Sequence, residues 1–60
     1  MELKQLRDYA RTCIERRPDL KSDIIELYQL CLDEIEEGGS REHEISLCQS
    51  DIEQLMEEES

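Results

Sequence analysis

Sixty residues with seventeen acids, seven bases and a formal net charge of −10 narrow the possibilities before any motif is sought. A chain of this length forms one domain and buries only about 60% of the surface its unfolded form exposes; Tyr9 and Tyr28 are its only aromatic residues, so its core is built from Leu, Ile, Cys, Met and Ala. Size argues against the deep cleft of an enzyme, three cysteines cannot close a disulfide framework without a leftover thiol, and no apolar run approaches the roughly 20 residues of a membrane span.

The charge is divided unequally along the chain. Residues 1 to 21 hold six of the seven bases, Lys4, Arg7, Arg11, Arg16, Arg17 and Lys21, against four acids, a formal +2. Residues 22 to 60 hold Arg41 against thirteen acids, a formal −12. Such a field governs solubility, association rate and choice of partner without naming a reaction. No basic start followed by an apolar run reads as a signal peptide, so a reducing cytoplasm is the expected setting. With 40% of residues charged, composition alone borders on that of disordered chains. Periodicity decides for a folded one.

In the first segment Leu3, Leu6, Ala10 and Cys13 recur at spacings of 3, 4 and 3, with Tyr9 and Ile14 widening the stripe. This predicts a helix near residues 2–16, ended by Pro18, which pushes the preceding residue out of the α region and suits the first turn of the next helix. The second segment, near 18–37, is the most apolar. Leu20, Ile24, Leu27, Tyr28, Cys31 and Ile35 form its stripe, while Ile25, Leu30 and Leu32 spill beyond it, an arc wide enough for a central helix contacted from two sides. Asp19 and Asp23 favour its N-terminal pole, whereas Asp33, Glu34, Glu36 and Glu37 crowd the C-terminal pole, where the macrodipole disfavours them.

Gly38-Gly39 punctuates the chain. One glycine is expected to take the left-handed cap of the second helix, and Ser40 to cap a third near 41–57. That third segment spaces Ile45, Cys48, Ile52 and Leu55 by 3, 4 and 3, flanked by Leu47 and Met56, with Glu42 and Glu44 favouring its first turn and Glu57 to Glu59 expected to fray. Short connections make consecutive helices antiparallel neighbours, so the predicted fold is all-α, a single up-down-up three-helix bundle. Its expected core is Leu6, Ala10, Cys13, Ile24, Leu27, Tyr28, Cys31, Ile35, Ile45, Cys48, Ile52 and Leu55. A helical hairpin that dimerises is the competing arrangement, because the third stripe is narrow and no large aromatic residue fills the core.

The chemical constellations point away from catalysis. Cys13 and Cys31 fall on the order of 13 Å apart along a bundle axis at 1.5 Å per residue, whereas Cys31 and Cys48 flank the glycine turn at similar counts and fall level. Zinc requires ligands converging within about 2.3 Å of the ion, and no compact ligand cluster is spaced for that. The cysteines therefore read as small buried thiols. His43, between Glu42 and Glu44, reads as an exposed first-turn residue with no nucleophile spaced to meet it. Gly38-Gly39 lacks the strand and downstream lysine of a phosphate loop. No cofactor, metal or enzymatic activity is expected.

Two charged surfaces remain. Lys4, Arg7 and Arg11 recur at helical spacing and Arg16 and Arg17 extend them, a stripe able to contact phosphates, although Asp8 and Glu15 interrupt it, the rest of the chain repels polyanions and aromatic platforms are lacking. The opposing feature is the acidic run of Asp33, Glu34, Glu36 and Glu37, continued by Glu44, Asp51 and Glu53. In size and charge the chain is similar to acidic helical inhibitors from mobile elements that imitate the phosphate rows of DNA, a similarity of composition that covers no motif. It resembles the plasmid copy-control Rop family only in being a small acidic helical chain; its three segments depart from that family's two-helix plan, and no residues carry across. The expected function is a non-enzymatic interaction or regulatory role, the acidic face docking on a basic protein surface. A homodimer that binds nucleic acid through the basic stripe is the alternative, and an acidic face that only keeps the chain soluble is the bland one.

Overall fold

The computed structural model describes residues 2–58, so Glu59 lies outside the described residues. Its first helix, α1 (Leu3–Arg16), begins where Glu2 takes an extended conformation and the Gln5 side chain reaches back to accept the Glu2 backbone N–H at 2.8 Å. That bond satisfies a donor that the helix itself leaves unpaired. Leu6, Ala10 and Cys13 are the buried positions of α1, as their spacing predicts.

The second segment departs from a single helix over 18–37. Pro18–Leu20 form a 3₁₀ turn, and α2 proper spans Lys21–Glu36. Proline at the head of the turn, together with a fork of hydrogen bonds from the Arg17 guanidinium to both carboxylate oxygens of Asp19 (3.2 and 3.0 Å), fixes the corner. The corner turns Leu20 into the core at 5% exposure, so a residue absent from the expected core belongs to it.

At its other end α2 closes with a Schellman motif. The Gly39 N–H donates to the Glu34 carbonyl at 2.9 Å and the Gly38 N–H to the Ile35 carbonyl at 3.1 Å, with Gly38 at φ 103°. This is the left-handed position that glycine adopts without steric cost. Gly39 is needed for a different reason: a Cβ there would stand 2.8 Å from the Glu34 carbonyl oxygen. The third helix, α3 (Arg41–Glu58), starts beside Ser40, whose carbonyl accepts the Glu44 N–H at 2.9 Å and whose hydroxyl lies 3.5 Å from the His43 N–H.

The helices pack together, α2 touching both α1 and α3. The radius of gyration, 10.9 Å, sits close to the roughly 10.4 Å of a compact chain of this length. Leu6, Ala10, Cys13, Leu20, Ile24, Cys31, Ile45, Cys48 and Ile52 are buried, and among the described residues no polar or charged one is buried with them. Leu27, Tyr28, Ile35 and Leu55, expected inside, are half-buried at its edge. Sixty residues cannot surround a second row of side chains. No described helix is long and apolar enough to cross a membrane.

Candidate functional site

The most exposed large apolar side chains lie at the two sides of α2 and on the neighbouring face of α3. Leu30 is 53% exposed and Leu47 45%, and both line one hollow between α2 and α3 floored by Leu27, Cys31 and Cys48. Helical spacing puts them there: Leu27, Leu30 and Glu34 form one ridge of α2, and Glu44, Leu47, Asp51 and Leu55 one ridge of α3. A second hollow shares Leu27 and Leu30 and continues to Leu55. Together they make a groove about 12 Å long, the rise from Leu47 to Leu55.

Acids border this groove. Glu34, Glu44 and Asp51 line the first hollow, Asp23 and Glu26 the second, and no Lys or Arg lines either. The seven acids expected at a partner surface therefore do not act as one cluster. Glu34, Glu44 and Asp51 meet around Leu30 and Leu47; Asp33, the residue before Glu34, and Glu37, at the C-cap of α2, are exposed and line neither hollow. Glu36 stands about half a turn away from Leu27 around α2. Glu53 is two residues from Asp51 and so faces the other side of α3, toward α1, where burial and the neighbouring Cys13 raise the Tyr9 hydroxyl and the Glu53 charge adds to them. Leu30, Leu47, Asp23 and Glu26 were not among the residues expected at a partner surface from sequence. The signal was present: Leu30 falls off the stripe that faces the core, and a large apolar residue there stays half exposed.

Cys31 and Cys48 sit beneath the groove. Burial pushes the Cys48 thiol up to about 12, helped by the neighbouring Cys31, and burial also raises Cys31. Cys48 Sγ–H donates to the Leu27 carbonyl at 3.6 Å. Cys31 and Cys48 are thus level across the turn, neutral, and held as packing groups. Among the described residues no three His, Cys, Asp or Glu side chains converge as a metal site.

On the opposite side of α2 lie basic residues contributed by α1 and α3. Arg7 and Arg11 flank an apolar hollow formed by Ala10, Ile14, Ile25 and Tyr28, with Ile25 exposed, and Lys4 and Arg41 join Arg7 beside Tyr28. Arg16 and Arg17 do not extend this stripe as expected. Arg17 is engaged by Asp19, which holds that carboxyl below its usual range, and both arginines border Met56 and Glu57 on another side of the bundle. Comparison of the chain with protein-family models, with curated proteins and with solved structures gives no match.

Proposed function

We propose that this protein is a non-enzymatic interaction or regulatory module that docks its acidic face on a basic protein surface. The observation that carries the reading is the segregation of charge: acids and no bases border the groove between α2 and α3, and Lys4, Arg7, Arg11 and Arg41 gather on the other side of α2. Complementary fields of this kind steer encounter and exclude like-charged partners more than they add raw affinity. Occupying the nucleic-acid site of a basic protein, as a DNA mimic does, is the form of regulation that the size and charge favour.

The test is affinity capture from the source cell, run in parallel with the wild-type chain and with a variant carrying Glu26→Lys, Glu34→Lys, Glu44→Lys and Asp51→Lys, four of the acids that line the groove. A basic protein retained by the wild type, lost by the variant and displaced by added DNA supports mimicry. The same proteins on both baits would refute the acidic-face reading.

A second reading is favoured by one observation, the gathering of Lys4, Arg7 and Arg41 at Tyr28. That patch offers phosphate contacts to RNA or DNA. An anisotropy titration with labelled nucleic acid decides it: salt-sensitive binding lost in Arg7→Ala and Arg11→Ala would replace the first reading.

A further inference from the structure

We propose that the groove between α2 and α3 receives a cationic amphipathic helix of the partner protein, its apolar ridge seated on Leu27, Leu30, Leu47 and Leu55 and its Lys or Arg side chains against Glu34, Glu44, Asp51, Asp23 and Glu26. The inference rests on the acidic-face reading and adds what that reading leaves open, the shape of the partner and the source of its affinity.

Three features define the occupant. Leucines run along both sides of the groove, Leu27 and Leu30 on α2 and Leu47 and Leu55 on α3, and an elongated apolar lining calls for an elongated apolar ridge. A groove about 12 Å long matches a little over two turns of helix, with apolar residues at positions i, i+4 and i+7. The rim is acidic on both walls and carries no base, so the residues flanking that ridge are cationic. Leucines at the centre, sheltered by charges at the rim, reproduce the division of labour seen in protein interfaces, where desolvated central side chains set the dissociation rate and rim charges set the association rate.

A second copy of this chain fits less well. In a twofold interface the same patch lies on both sides, so Glu34, Glu44 and Asp51 would face their own kind. In any other pairing the second copy still brings a net charge of −10.

The experiment uses the full chain and two labelled synthetic peptides of about 18 residues. One is a Leu/Lys helix with its leucines on a single face; the other has the same composition scrambled so that no face is apolar. Anisotropy titrations are made at physiological ionic strength with wild type and with the double variant Leu30→Gln, Leu47→Gln, whose fold is checked by circular dichroism; both positions are about half exposed, so the fold is retained. The expected result is tighter binding of the amphipathic peptide by about tenfold or more, a change of about 1.4 kcal/mol, with the advantage abolished in the double variant. Equal binding of both peptides, unchanged by the leucine substitutions, overturns the groove inference and leaves the acidic-face reading standing. Failure of both peptides to bind overturns the two together. A concentration-dependent dimer that the double variant dissociates, seen by sedimentation, assigns the groove to a second copy and overturns the proposal.

Discussion

Ile24, Leu27 and Leu30 lie within seven positions of one helix, yet they occupy three environments. Ile24 has 0% exposure, Leu27 is half-buried, and Leu30 is 53% exposed. Truncating each to Ala should therefore give three different costs. Ile24→Ala loses its full transfer free energy and leaves a cavity, about 2–5 kcal/mol. Leu27→Ala loses only the part of its surface already out of water, about 1–2 kcal/mol. Leu30→Ala stays within roughly 0.5 kcal/mol, as exposed substitutions do.

A domain of this length has on the order of 3–9 kcal/mol of stability in total, so Ile24→Ala alone approaches the limit of folding. Ile24→Val, at about 0.5–1.5 kcal/mol, keeps the comparison measurable. Urea titrations followed by far-UV circular dichroism give the costs from the midpoints at constant slope. Melting temperatures should fall by about 4–8 °C for each kcal/mol. A cost for Leu30→Ala equal to that of Ile24→Ala would refute the reasoning, because it would mean that Leu30 is buried in solution; repetition at tenfold dilution would show whether a second chain buries it.

Gly38→Ala and Gly39→Ala should both destabilise, the first through its left-handed φ of 103° and the second through the approach to the Glu34 carbonyl; Gly38→Asn should cost less than Gly38→Ala because Asn tolerates that conformation. If Gly39→Ala unfolds at the wild-type urea midpoint, the close approach is not present. Cys48 and Tyr9 are both raised to about 12, so the folded state holds protons that the unfolded state releases. Their contribution to stability is then constant below about pH 9 and declines as pH climbs from about 9 to about 12; a urea midpoint that rises across that window would contradict it. At neutral pH the native Cys48 thiol should react with iodoacetamide only as fast as the protein unfolds. Added salt should raise the urea midpoint by screening the excess of negative charge and should slow association with a cationic partner. A midpoint that falls with salt would show that ion pairs, not repulsion, dominate the fold.

Helical periodicity made the architecture legible, since each of Leu6, Ala10, Cys13, Ile24, Cys31, Ile45, Cys48 and Ile52 lies on a stripe at spacings of 3 and 4 and is buried. The glycine turn was legible for a chemical reason: only glycine pairs a left-handed φ with a neighbour pressed against a carbonyl. The Pro18 corner was legible as a break but not as a 3₁₀ turn, because the burial of Leu20 depends on how α2 is set against the other helices. The site was legible in charge and not in shape. Acidic residues announce a field wherever they fall, but only the fold brings Glu34, Glu44 and Asp51 together and sends Glu36 and Glu53 elsewhere. Leu30 and Leu47 read as the margin of a stripe in one dimension; packing leaves them as the walls of a groove.

The turn at Gly38 and Gly39 brings the negative pole of α2 against the positive pole of α3, and these two dipoles offset one another. The α2 carbonyls there are closed by backbone donors from the glycines, so no cationic side chain is required to satisfy them. What remains at this end of the bundle is the charge of Asp33, Glu34, Glu36, Glu37, Glu42 and Glu44, with Arg41 as the one base of residues 22 to 60. Hydrogen bonding and charge are thereby supplied by different groups, the first by the backbone and the second by exposed side chains. Reversing the carboxylates leaves the cap and the apolar lining of the groove in place. Changing Leu30 and Leu47 leaves the field in place. The two contributions to partner recognition are physically separable in this chain, and a partner held by an apolar ridge and steered by its cations should lose lifetime to the second change and encounter rate to the first.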